Sequence, residues 1–176
     1  RKPEMVSEDV RGEVDAAVRE LGYVRNYLAS ALASSRTHTI GVIIPSLTNG
    51  VFADYLRALH DLFLPAGFQV LVLNVRYSAA EEEKAIAALL GHHAEAIILA
   101  GIDQTEQSRR MLEGSGIPVV QTMELAEHPI DINIGLSQRD AGYAATRYLL
   151  DLGHRRIAHI AARVDSRALR RMEGYQ

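Results

Sequence analysis

The stretch TIGVIIP at Thr39–Pro45 decides the architecture that we predict for this chain of 176 residues. Its centre, Ile40–Ile44, is a continuous apolar run that is rich in β-branched residues, and Pro45 ends it. Similar apolar runs recur along the chain, at Gln69–Val75, Ala96–Ala100, Val119–Thr122, Ile132–Leu136 and Ile157–Ala161. Because continuous apolar strands are buried on both faces, these six runs predict a parallel β-sheet.

Helical patterns separate most of the predicted strands. Apolar residues at helical spacing run from Phe52 to Phe63, and the pattern from Ser78 to Glu81 is a capping box that opens the next helix. Ala141–Leu152 carries another apolar face, and residues 166–176 have the pattern of a further helix. Alternation at about 25 residues per unit is typical of a doubly wound α/β fold, in which right-handed crossovers put helices on both faces of the sheet.

A different pattern precedes the first predicted strand. Ser7 is a candidate N-cap, five apolar residues between Val10 and Leu21 share one helix face, and Gly22 follows as a stop signal. One amphipathic helix cannot bury its own apolar stripe. We therefore expect it to pack against a segment before it or against a partner.

The Ala/Ser-rich segment 26–34 joins this helix to the predicted sheet. It is either a plain linker or a short helix that forms only when it is supported, because isolated helices of this length are marginal. Leu28 and Leu32 lie four residues apart and would share one face of such a helix. That pair would pack between two copies of the chain or part the base steps of a DNA minor groove.

The composition is that of an ordinary soluble globular protein, with 48% hydrophobic and 23% charged residues and no cysteine. The formal net charge of −3 provides no global basic field for nucleic acid, and no run of 18 apolar residues is present to span a membrane. Nucleotide-binding glycine motifs, a G-x-S-x-G elbow and an H-E-x-x-H motif are also absent. We therefore expect a cytoplasmic protein with no catalytic residue, no metal and no cofactor, so that an α/β enzyme is a disfavoured alternative.

The loop Ser46–Phe52 follows the first predicted strand at its carboxyl end, where open α/β sheets bind ligands. It combines hydroxyl groups, the amide of Asn49 and an aromatic ring, which together suit a polyol or a sugar. An ordinary loop in which Asn49 caps the following helix explains the same residues. The sequence leaves both interpretations open.

The chain resembles bacterial transcriptional repressors of the LacI/GalR type. The resemblance rests on motifs that occur in order along nearly the whole chain, at Val6–Glu8, Glu20–Tyr23, Asn26, Leu32, Thr39–Pro45, Asn49, Phe52–Ala53, Gly116–Val120, Leu152–Ala158, Arg171 and Gly174–Tyr175. Within the family, the segments Pro45–Asn49, Val51–Asp54 and Ala162–Asp165 are most similar to gluconate-operon repressors.

The resemblance implies a domain organisation. Residues 1–23 would be the end of a helix-turn-helix headpiece whose recognition helix precedes Arg1, and residues 24–37 would be the hinge. Residues 38–161 would form the N-terminal lobe of a periplasmic-binding-protein-like effector domain, and residues 162–176 would begin its C-terminal lobe.

The resemblance also implies site residues and partners. The effector-binding set would be Ser46, Asn49, Phe52, Ser137 and Arg171, where the arginine would meet the carboxylate of a sugar acid. The hinge set, which would contact operator DNA in a homodimer, would be Asn26, Ala29, Ser30 and Leu32. We therefore expect a DNA-binding repressor that is controlled by a small sugar or sugar acid such as gluconate. The alternative is a periplasmic-type sugar-binding protein that does not bind DNA.

Overall fold

A computed structural model of the chain describes residues 6–23, 36–161 and 163–176. The chain divides into two compact units, Arg1–Thr37 and His38–Gln176. The four predicted hinge residues, Asn26, Ala29, Ser30 and Leu32, lie outside the described residues. Their roles, and the division of the larger unit at residue 162, stay predictions.

The first unit contains helix α1, Glu8–Glu20. The helix begins directly after Ser7, as predicted, but the Ser7 side chain makes no capping hydrogen bond. Gly22 adopts a left-handed φ of 58° just beyond the helix, as its predicted role as a stop signal requires. The predicted apolar stripe is exposed, since Val14 retains 54% of its accessible surface. The helix on its own therefore provides no burial for this stripe.

The second unit is built on a five-stranded sheet in the order β2-β1-β3-β4-β5. All four neighbouring strand pairs are parallel, which confirms the predicted doubly wound class. The strands are β1 Thr39–Ile44, β2 Gln69–Asn74, β3 Ala96–Leu99, β4 Val119–Thr122 and β5 Ile132–Ile134.

Five helices accompany the sheet in the described part of this unit: α2 Gly50–Phe63, α3 Ala79–Gly91, α4 Glu106–Ser115, α5 Gln138–Asp151 and α6 Ser166–Tyr175. Each helix begins after a capping residue whose side chain accepts a hydrogen bond from a backbone N–H of the first turn. In chain order, these capping residues are Asn49, Ser78, Thr105, Ser137 and Asp165. Within residues 6–23, 36–161 and 163–176, no helix has both the length and the apolar character that a membrane span requires.

The predicted capping box at Ser78 is half formed. The Ser78 hydroxyl accepts a hydrogen bond from the backbone N–H of Glu81 at 3.3 Å. The second hydrogen bond of the box, from the Ser78 N–H to the Glu81 carboxylate, does not form. The carboxylate pairs with Lys84 at 2.9 Å, and the Ser78 N–H donates to the carbonyl of Val75. One hydrogen bond of the box is therefore enough to start α3 at the predicted place.

Alternate residues of the central strand face two separate apolar cores. Ile43 lies in the core that contains Ile86 and Leu89 of α3, whereas Val42 and Ile44 lie in the core that contains Phe52 of α2. Helices therefore cover both faces of β1. Because both faces are buried, every residue of the strand's centre is apolar or small. The edge strands β2 and β5 are only partly buried.

The predicted sixth strand, Ile157–Ala161, is wrong in the described structure. The segment pairs with none of the five strands, and Ile160 is 90% exposed. A strand needs a neighbour for its backbone groups, and here the Ile157 carbonyl accepts a hydrogen bond from the Tyr175 hydroxyl at 2.7 Å instead. The apolar run in the sequence does not reveal whether such a neighbour is present.

Helix α5 was predicted correctly, but the face that it buries was not. Tyr148 and Leu152 of the predicted apolar face are 65% and 59% exposed. Helix α6 instead packs on the Gly142 side, where a Cβ atom would collide with the carbonyl oxygen of Arg171. Gly174 lies equally close to the backbone of Arg139. The two helices therefore touch backbone to backbone, which only glycine allows.

Candidate functional site

A cavity of about 690 Å³, which we call the main cavity, opens beside the carboxyl ends of β1 and β4. Its lining joins residues of α2, of the segments after β2, β4 and β5, and of helices α5 and α6. The volume is in the range of small-molecule sites in proteins. The sheet thus provides a concave site where open parallel sheets usually bind ligands.

Three of the predicted effector-binding residues, Asn49, Phe52 and Arg171, line the main cavity. Asn49 also caps α2, since its side-chain oxygen accepts a hydrogen bond from the Val51 N–H at 3.2 Å. The two interpretations that the sequence left open are therefore compatible at this residue. Phe52 is 3% exposed and belongs to the apolar core.

The other two predicted effector residues, Ser46 and Ser137, are not among the lining residues of the main cavity. Ser46 shares a hydrogen bond with the Thr48 hydroxyl at 3.1 Å. Ser137 caps α5 by accepting the Asp140 N–H at 3.1 Å. Both side chains thus have local structural partners, and any contact of theirs with an effector stays a prediction.

Gln138, which the sequence reasoning missed, positions the guanidinium group of Arg171. The Arg171 Nη1 atom donates to the Gln138 side-chain oxygen at 2.6 Å, and the Gln138 amide donates to the Met123 carbonyl at 3.2 Å. Gln138 is only 8% exposed, so its side chain is fixed. Since this partner is a neutral amide, the positive charge of Arg171 is not neutralised by it.

The neighbouring arginine, Arg170, has a different environment. Its guanidinium group lies 3.4 Å from Glu124 Oε2 and 3.4 Å from Asp103 Oδ1. Glu124 is 3% exposed, and a buried carboxylate needs such a partner. Arg170 is therefore committed to protein carboxylates, whereas Arg167 and Arg171 line the main cavity.

The charges of the lining favour an anion. Arg167 and Arg171 are the cations among the described lining residues, and no carboxylate is among them. Arg167 forms a long ion pair with Asp165, with 3.8 Å between Nη2 and Oδ2. The Asp165 side chain also caps α6, since its Oδ1 atom accepts a hydrogen bond from the Ala168 N–H. An anionic group in the cavity would thus meet guanidinium groups without a competing lining carboxylate.

Tyr55 and Thr122 add a neutral polar pair to the lining. The Thr122 hydroxyl donates to the Leu99 carbonyl at 3.0 Å, so the Tyr55 hydroxyl must donate in the 3.0 Å bond between Tyr55 and Thr122. Burial raises the pKa of Tyr55, and the hydrogen bond to Thr122 opposes that shift. The phenol is therefore a neutral group at neutral pH.

Tyr77 is the other residue that the sequence reasoning missed. It follows Arg76 after β2, and the two residues have left-handed φ values of 59° and 50°. The Cζ atoms of Arg163 and Arg167 lie 4.1 Å and 5.8 Å from the centre of the Tyr77 ring. Left-handed conformations of non-glycine residues cluster at ligand sites, but they become visible only in a structure.

Tyr77 and Arg167 also line a second cavity of about 340 Å³, which we call the adjacent cavity. Glu82 lines it as well and accepts a hydrogen bond from the Gln104 amide at 3.3 Å. Burial raises the pKa of Glu82, the hydrogen bond from Gln104 opposes the shift, and the charge of Asp103 adds to it.

A doubly wound domain with a cationic, partly aromatic cavity at the carboxyl ends of its strands is typical of α/β domains that bind small molecules. Residues 37–176 match the family model described as periplasmic binding proteins and sugar binding domain of LacI family. The chain belongs to the LacI family.

Named relatives agree with this assignment. The chain is 43% identical to the HTH-type transcriptional regulator GntR of Pseudomonas aeruginosa over 97% of its length and 50% of the relative. It is 34% identical to GntR of Escherichia coli over 100% of its length and 53% of the relative. The chain therefore spans about half the length of these curated relatives.

A solved structure is similar over almost the whole chain. The crystal structure of a LacI-family transcriptional regulator from Silicibacter pomeroyi superimposes with a TM-score of 0.88. A second LacI-family crystal structure from the same organism, 33% identical and covering 78% of this chain, superimposes with a TM-score of 0.75. The better match is 38% identical and covers 97% of this chain and 52% of the other. The family resemblance that the sequence motifs suggested is thus confirmed.

Proposed function

We propose that this chain is the effector-binding part of a transcriptional repressor whose operator affinity is controlled by a sugar acid such as gluconate. The observation that carries the proposal is the main cavity, in which Arg171 is held by a neutral amide and no described lining residue is a carboxylate. The similarity to regulators named GntR supports the same class of protein.

The main cavity has a suitable group for each part of a sugar acid. Arg171 would bind the carboxylate with charge-assisted hydrogen bonds, and Asn49 and Thr122 would bind hydroxyl groups. Phe52 provides an apolar surface for the carbon chain. A neutral sugar would leave the positive charge without a partner and should bind more weakly.

The regulatory step would be linkage between two sites. An effector that binds two arrangements of the protein with different affinity shifts the equilibrium between them, and DNA then shifts effector affinity in return. We place the protein in the cytoplasm, with operator DNA and a second copy of the chain as partners. The exposed apolar stripe of α1 supports a headpiece role over that of a sugar-binding protein without DNA contacts.

Calorimetry on the full-length protein tests the proposal. We expect gluconate to bind and glucose to bind much more weakly. Arg171→Gln should weaken gluconate binding by about 10- to 100-fold, since a hydrogen bond to a charged group contributes roughly 1.5–3 kcal/mol. Arg147→Gln is the matched control, because Arg147 is exposed on α5 and pairs with Asp151 away from the cavity.

Three results would contradict the proposal. If gluconate does not bind to the wild-type protein, or if it binds without changing the affinity for operator DNA in fluorescence anisotropy, the effector is another molecule. If Arg171→Gln binds gluconate as well as Arg147→Gln does, the carboxylate is held elsewhere.

A further inference from the structure

The main cavity and the adjacent cavity share two lining residues, Tyr77 and Arg167. These two side chains therefore form the wall between the cavities. The wall is held together by contact of the Arg167 guanidinium group with the Tyr77 ring, with its Cζ atom 5.8 Å from the ring centre.

The position of the Tyr77 ring is constrained by its backbone conformation and by two arginine side chains, Arg163 and Arg167. Its own backbone and that of Arg76 are in the left-handed region, which leaves little freedom to the turn after β2. Arg163 lies over the ring at 4.1 Å from its centre. The ring is half-buried between the cavities and cannot swing aside without breaking these contacts.

The adjacent cavity lies at the switch point of the sheet. The chain passes from β1 to β2 on one side of β1, and the next strand, β3, lies on the other side of β1. Pro45 of the loop after β1 and Gly101 of the loop after β3 line this cavity. Crevices at such a point are preferred ligand sites in open α/β sheets. Its lining also presents Ser78, Glu82 and Gln104, whose polar groups suit the hydroxyls of a sugar.

We propose that the Tyr77 ring limits the length of the effector. The main cavity would take a single sugar acid, and the ring would deny a second glycosyl unit access to the adjacent cavity. This inference rests on the proposed function, because it concerns the same ligand site. It adds a specificity-determining residue, and it identifies the adjacent cavity as the space that a glycosyl substituent on the sugar acid would need.

The test compares gluconate with lactobionate, a gluconate that carries a galactosyl group. Binding of each is measured by calorimetry on the full-length protein, for the wild type and for Tyr77→Gly. Glycine suits the left-handed φ of 59° and should keep the turn folded, and thermal melting checks this. Tyr77→Asn, which also tolerates this conformation, is the second variant.

We expect the wild type to bind lactobionate at least about tenfold more weakly than gluconate. Tyr77→Gly and Tyr77→Asn should reduce or abolish this difference, whereas Tyr77→Phe, which keeps the ring, should retain it. Arg76→Gly controls for a looser backbone, because Arg76 has the same left-handed conformation but lines neither cavity. It should show the wild-type ratio.

The inference fails if the wild type binds both compounds equally, or if Tyr77→Gly and Tyr77→Asn discriminate as strongly as the wild type. Failure of the proposed function is a separate result. If neutral glucose and lactose bind and the acids do not, the sugar-acid effector is excluded. The affinities of glucose, which has one sugar ring, and lactose, which has two, then still test whether Tyr77 limits the length of the ligand. If none of the four compounds binds to the wild type or to either variant, both proposals are overturned.

Discussion

Glu82 shows how a single side chain makes the stability of this protein depend on pH. Its carboxyl lies beside the adjacent cavity, where burial raises its pKa. Glu81, one residue earlier, has a lowered pKa because its carboxylate accepts a hydrogen bond from Lys84. Two adjacent glutamates of one helix therefore have opposite linkage to folding.

The sign of the Glu82 effect leads to a prediction. The native state holds this proton more tightly than the unfolded chain, so the free energy of unfolding falls as pH rises from about 4.3 through the raised native pKa. Glu82→Gln removes the ionisation. The stability of the variant relative to wild type should therefore increase as pH rises above the ordinary glutamate pKa, and it should level off above the raised native pKa, as measured by urea unfolding at several pH values.

Glu81→Gln serves as the control of opposite sign. Its carboxylate stabilises the native state above the ordinary glutamate pKa, and this contribution is lost as pH falls through the lowered native pKa. That variant should lose stability at neutral pH and converge on wild type in acid. The same pH trend in both variants would refute the assignment.

At the scale of elements, α5 and α6 form a unit that positions Arg171. Gly142 and Gly174 allow the two backbones to touch, and a Cβ atom on Gly174 would lie 2.7 Å from the Tyr143 nitrogen. The placement of the Arg171 guanidinium group therefore depends on helix packing as well as on its bond to Gln138.

Gly142→Ala should separate these helices. We expect a loss of roughly 1–3 kcal/mol in the free energy of unfolding, since the added methyl group meets the Arg171 carbonyl oxygen. Gly114→Ala in α4 is the matched control, because no atom lies within 4 Å of its added Cβ. It should be stabilising by about 0.5–1 kcal/mol, and equal effects of the two substitutions in denaturant unfolding would argue against close packing at Gly142.

The elements also show where sequence patterns are sufficient. The apolar runs that became β1 to β5 and the patterns that became α2 and α3 were predicted because each pattern is local. Ile157–Ala161 has the same pattern but no strand beside it in the described structure. A strand depends on its neighbour, and this dependence is not encoded in the run itself.

For the whole molecule, the proposed link between effector and DNA can be tested at Leu32. The family resemblance gives this residue the role of a wedge in the minor groove, and Leu32→Ala should weaken operator binding by roughly tenfold or more. Gluconate affinity of the DNA-free protein should not change, because Leu32 precedes the unit that contains the main cavity.

Anisotropy with operator DNA and calorimetry with gluconate provide the two measurements. Unchanged operator affinity would remove the wedge role from Leu32. A simultaneous loss of gluconate affinity would instead indicate a folding defect, and the variant would then say nothing specific about DNA.

The sequence by itself determined the fold class, the family and three residues that line the main cavity, Asn49, Phe52 and Arg171. Periodicity, capping residues and short motifs are local properties, so they can be recognised from the sequence alone. Only the tertiary structure decided the roles of Gln138 and Tyr77, the pairing of Arg170 with Glu124, and the glycine contacts between α5 and α6. Each of these depends on which distant residues meet, because hydrogen bonds, stacking and steric contact act through space and not along the chain.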